Sequence, residues 1–80
     1  MQDKLFFFNV INSNTELDSD GTVLSDIAEA RSQALHMLGA MLQESESIFP
    51  WSGGTPWKIW VSDGPRGTGS VLFTLQVVGS

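Results

Sequence analysis

Glu16, Asp18 and Asp20 stand at every second position ahead of Gly21. Alternating carboxylates before a glycine resemble the start of a calcium-binding loop, where oxygen ligands are strung along a sharp turn. That loop closes on a bidentate glutamate, and aligning Asp20-Gly21 to it puts Ile27 in that place. The segment also lacks a preceding helical pattern, so it reads as a structural turn in which Gly21 adopts a positive φ. Gly64, Gly67 and Gly69 surround Arg66 and invite comparison with a phosphate cradle. Such a cradle needs a Lys-Ser/Thr pair and a following helix. Here a strand pattern follows, and the segment reads as a hairpin loop.

Nucleophilic and metal chemistry find little material. The chain has one histidine, His36, and no cysteine, so neither a chelating pair nor a Cys/His couple can form. Ser25, Ser62 and Asp63 can be drawn around His36 on paper, but no nucleophile motif such as G-x-S-x-G accompanies them. The pairs Glu44/Glu46 and Asp18/Asp20 read as solvated acidic faces. No catalytic, cofactor-binding or metal-binding residue is assigned, no cofactor is expected, and the chain is not expected to be an enzyme.

The tryptophans are the most informative side chains. Indole combines a large apolar area with one donor and is over-represented among binding hot spots. Trp57 is expected in the core. Trp51 and Trp60, with Phe49, Phe7 and Leu72, form the candidate interaction surface. Trp51, Phe49 and Ile48 sit in a Ser45–Pro56 connector about twice the usual loop length, which must either pack or bind.

The elements that would position these residues can be read from periodicity. Leu5 to Ile11 is rich in aromatic and β-branched residues and ends in Asn12-Ser13-Asn14, a strand running into a turn. Its two-residue period puts Phe6, Phe8 and Val10 on one face and Leu5, Phe7, Asn9 and Ile11 on the other. Thr15-Glu16-Leu17 is a short return strand, and Thr22-Val23-Leu24 continues the pairing beyond the turn. A helix of about five turns begins at Ser25 or Asp26, with Asp26 and Glu29 at capping-box spacing. Ile27, Ala30, Ala34, Met37, Leu38, Met41 and Leu42 form its apolar stripe. Gly39 either weakens this helix or permits a close approach. Trp57 to Val61 and Val71 to Val78 are two further strands. The 80 residues therefore form a single α+β domain: ββαββ, a largely antiparallel four-stranded sheet with one amphipathic helix packed on one face. Phe7, Ile11, Trp60, Leu72 and Val78 are expected on the uncovered face, and an apolar patch there marks an association surface.

Composition narrows the partners. The net charge is −5, and Lys4, Arg31, Lys58 and Arg66 are the only fixed cations. Phosphate backbones are bound by neutralising their charge, so nucleic acid and anionic membranes are not expected partners. The Leu5–Phe8 run is too short for a signal-peptide core or a membrane span, and a cytoplasmic location is expected. A chain this short commonly supplements its core with disulfides, metal or self-association. The first two are unavailable, so a homo-oligomer is expected, with a dimer favoured.

The order of residues resembles a family of short, mostly alphaproteobacterial proteins known as domain of unknown function 6894. The resemblance rests on Phe6-Phe7-Phe8, Asp18, Asp20-Gly21, Leu24, Asp26, Ala30-Arg31 and Ala34, and resumes at Trp57-Lys58-Ile59-Trp60-Val61-Ser62-Asp63. The loops Ile48–Pro56 and Gly64–Ser70 look longer than the family's. The resemblance implies a shared fold and carries no activity with it. The leading functional expectation is a non-catalytic, self-associating protein-interaction module. The alternatives are a small-ligand-binding domain using the Trp51–Trp57 loop and an antitoxin-like regulator binding a basic partner protein.

Overall fold

A computed structural model describes residues 3–51 and 53–79. In chain order it contains β1 (Lys4–Ile11), β2 (Thr15–Glu16), β3 (Thr22–Leu24), α1 (Ile27–Glu44), β4 (Trp57–Ser62) and β5 (Val71–Val77), with a short 3-10 turn at Pro65–Gly67 before β5. All strand pairings are antiparallel, and the sheet runs β2-β1-β4-β5 with β3 also pairing β1. This is an α+β fold with a five-stranded sheet. The Cα trace measures 43 × 21 × 17 Å, and the shortest dimension has room for one helix layer on one sheet.

The fifth strand arises because the return from β1 is divided. β2 pairs with the end of β1, Val10 opposite Glu16, whereas β3 pairs with its start, Phe6 opposite Thr22. Between them the Phe8 N–H, which alternation directs to the same edge as those of Phe6 and Val10, is met by the Asp18 carboxylate at 3.0 Å. The acidic turn thus completes a sheet edge with a side chain where a backbone carbonyl would ordinarily serve.

Helix α1 begins as its sequence requires. Asp26 caps it from an extended conformation, and its carboxylate accepts the Glu29 N–H at 2.9 Å. Glu29 in turn accepts the Ser25 hydroxyl. Ser45 ends the helix with its N–H on the Met41 carbonyl. The helix is 18 residues long, five turns at about 3.6 residues each, as expected. Ala30, Ala34 and Leu38 face Phe6, Phe8, Val10, Ile59 and Val61 to form the core, with Ile27, Met37, Met41 and Leu42 around it. Burying each large apolar side chain here contributes about 1.5–3 kcal/mol. Gly39 has open space about its Cα, so it serves no close approach.

The connector packs. Phe49 and Trp57 are buried, and Phe49 meets the rings of both Trp57 and Trp51 edge-on, at centroid separations of 5.1 and 4.7 Å. Gly79, just past β5, lies so close to this segment that a side chain on it would overlap the Pro50 carbonyl and the Trp51 backbone.

The expectation of an uncovered second sheet face needs correction. Phe7 is 5% exposed, because the turn after β2 folds over it: a Cβ on Gly21 would stand 2.9 Å from both Leu5 Cγ and Phe7 Cε2. Gly67 likewise packs by Leu17 and the half-buried Trp60. Two loops therefore roof part of that face, a long-range contact that alternation along one strand does not encode. Exposed apolar side chains lie instead at Val71, Leu72 and Val78 by β5, at Ile48 and Trp51 in the connector, at Leu5, Leu17 and Val23 along β1 and its return, and at Leu35 on α1.

Candidate functional site

The five candidate surface residues fall into two groups. Phe7 and Phe49 are core residues, 5% and 4% exposed, and offer nothing to a partner. Trp51 is 57% exposed and Leu72 39%, while Trp60 is half-buried with Lys58 Nζ 5.7 Å from its ring centre. Trp51 donates its indole N–H to the Glu46 carbonyl at 2.9 Å, which restrains the exposed ring. Trp57, at the other end of the Trp51–Trp57 loop, is buried.

β5 carries the most accessible feature. It is the terminal strand of the sheet, and its seven residues, Val-Leu-Phe-Thr-Leu-Gln-Val, include no charge and no proline. The Phe8 amide points to the β2/β3 edge, so those of Asn9 and Ile11 face β4. Carried across the observed registers, Ile59 and Val61 exchange hydrogen bonds with Leu75 and Phe73. The backbone groups of Thr74 and Gln76 then point away from β4 toward the open edge. A long, uncharged edge of this kind is a template for another strand. Its sole protective device is a bulge, where Val61 pairs with Phe73 but Ser62 with Val71. The core-side row Phe73, Leu75 and Val77 is half-buried. Val71 and Leu72 at one end of the strand, and Val78 beside Trp51 at the other, are exposed.

A buried polar cluster escaped the sequence reading. Asn9, fully buried, donates through Nδ2 to the Ser62 hydroxyl (3.1 Å) and the Trp60 carbonyl (3.2 Å). Its Oδ1 accepts the Asp18 N–H at 3.1 Å, and Ser62 donates onward to the Gly64 carbonyl at 2.9 Å. The signal was an asparagine inside Phe-Phe-Phe-Asn-Val-Ile, where β propensity disfavours one. Asp18 also accepts the N–H groups of Asp20 and Gly21. Burial alone raises its carboxyl, but the amides of Gly21, Phe8 and Asp20 outweigh that and hold it below the ordinary carboxylate value.

These bonds employ most of the groups that might have done chemistry. Asp18 ties the sheet edge, Ser62 belongs to the asparagine cluster, and Asp63 accepts the Ser70 N–H at 2.7 Å to close the hairpin loop. Arg66 takes a left-handed conformation, φ 55°, and gives its N–H to the Asp18 carbonyl. His36 lies exposed on α1, on the opposite side of the sheet from Ser62. Among the described residues no three His, Cys, Asp or Glu side chains gather as a metal site would require, and no helix is long and apolar enough to cross a membrane. A cleft of about 640 Å³ opens at the start of α1, with apolar walls from Leu5, Phe6, Ile27 and Leu72 and with Lys4, Asp26 and Asp63 at its rim.

Residues 5–78 match the family model described as Domain of unknown function (DUF6894). No curated protein and no solved structure matches the chain.

Proposed function

The chain belongs to the DUF6894 family, and from that premise we propose that it is a non-catalytic protein-interaction domain that works by associating with itself through the open edge of β5. The observation that carries this reading is the uncharged seven-residue strand at one end of the sheet, whose outer edge is open. Such edges are ordinarily shortened, charged or covered in proteins that remain alone. An acidic, cysteine-free chain suits a cytoplasmic setting for this role.

The test is the mass in solution across a dilution series by sedimentation or native mass spectrometry. A species of twice 8.7 kDa that dissociates on dilution is expected, and Thr74→Lys should move the equilibrium to monomer by placing like charges at the edge. A wild-type monomer throughout the micromolar range would overturn the proposal.

A second reading, small-ligand binding, is favoured by the cleft at the start of α1, whose volume lies in the range of small-molecule sites. It places the ligand there and not at the Trp51–Trp57 loop. Saturable binding of one apolar dye, abolished by Leu72→Glu, would support it, and dye binding unchanged by that substitution would remove it.

A further inference from the structure

We infer that the occupant of the β5 edge is the β5 strand of a second copy, antiparallel about a two-fold axis at Thr74, so that two sheets join into one. This deepens the self-association reading and rests on it. Thr74 is the midpoint of Val71–Val77, and its backbone groups point to the open edge. A two-fold axis there pairs Phe73 with the second copy's Leu75 and Thr74 with its Thr74. Apolar side chains stand one position to either side of Thr74, so the half-buried row on the helix side continues across the join at its centre, while the bulge at Leu72 turns Val71 off that row to lie opposite Ser62. Thr–Thr is itself a favourable cross-strand pair.

The ends of the strand supply the argument for a second copy over an unrelated segment. Val71 and Leu72 are exposed at its start, and Val78 and Trp51 at its finish. The two-fold lays each exposed start beside the other copy's exposed finish. Charge agrees with this placement. A chain of net charge −5 repels its copy over most of its surface, and β5 is a stretch where neither partner brings a charge. At about 3.4 Å per residue the join is about 24 Å long.

The absence of native cysteine makes the register directly readable. Under mild oxidation Thr74→Cys should form a disulfide-linked dimer, because directly opposed residues in such a pair lie about 5.5 Å apart at Cα, within disulfide range. Gln76→Cys should remain unlinked, its copies being separated by four residues along the strand. Equal cross-linking of the two variants, or linking of Gln76→Cys alone, would overturn the register. So would an unlinked Thr74→Cys in a protein that is dimeric by mass, a result that leaves the self-association reading standing. A monomeric wild type would remove both.

Discussion

At the scale of single residues, Asp18 connects more of the molecule than any other carboxylate. Its side chain holds the Phe8, Asp20 and Gly21 amides, while its own backbone N–H and carbonyl are taken by Asn9 and Arg66. Asp18→Ala leaves the Phe8 amide without its acceptor, and a loss of about 1–3 kcal/mol in denaturant unfolding is expected. The pH dependence has a definite sign. Because the folded-state value lies below that of the unfolded chain, the unfolded chain takes up the proton first on acidification. The stabilisation from Asp18 is complete above the ordinary carboxylate range and is lost as pH falls through it toward the folded-state value. The gap in stability between wild type and Asp18→Ala should therefore narrow from about pH 6 to about pH 3. A gap constant across that range would show that the charge contributes nothing.

At the scale of elements, one substitution made at two glycines should act with opposite signs. Gly39 lies inside α1 with open space around it, so Gly39→Ala gains helix propensity and should stabilise by about 0.5–1 kcal/mol, read as a rise in Tm. Gly21 sits at φ 77° with Leu5 and Phe7 against it. Gly21→Ala meets the left-handed penalty of about 1–2 kcal/mol together with steric overlap, and Tm should fall. The same contrast explains what was legible in the sequence. Local periodicity and capping sufficed for α1, β4 and β5, because each element's apolar face and ends are written in its own residues. Asp26 and Glu29 marked the helix start, and Trp57, Ile59 and Val61 marked the inward face of β4. The two short segments of the β1 return, Thr15-Glu16-Leu17 and Thr22-Val23-Leu24, were legible, but the Asp18 carboxylate that bridges between them to the Phe8 amide ten residues away was not. Nor was the roof over Phe7, which needs the turn after β2 to fold back over the sheet. Of the candidate surface, Trp51 and Leu72 are accessible, whereas Phe7 and Phe49 are buried, Phe49 because a loop residue can complete a core. Asn9 stood in plain view as a polar interruption, but its partners outside β1 come from β4 and from the turn after β2.

At the scale of the whole molecule, charge and edge oppose each other. Two copies at −5 each repel, so if the proposed pairing through the uncharged β5 strand holds, salt should strengthen association. The dissociation constant should fall as sodium chloride is raised from about 0.01 M to about 0.15 M, over which the screening length shortens from about 30 to about 8 Å. An interface held by ion pairs would weaken instead, and sedimentation at the two salt concentrations separates these cases. The same balance ties oligomeric state to acidity, since protonating surface carboxylates lowers the repulsion.

Gly79 gives the molecule an optical consequence. Its backbone lies directly against Pro50 and Trp51, and Trp51 reaches Trp57 through the Phe49 ring between them. Lifting the end of β5 therefore removes one wall of an indole-rich corner. Two of the three tryptophans sit in that corner, so the colour of the intrinsic emission reports whether the last strand is seated, without any added label.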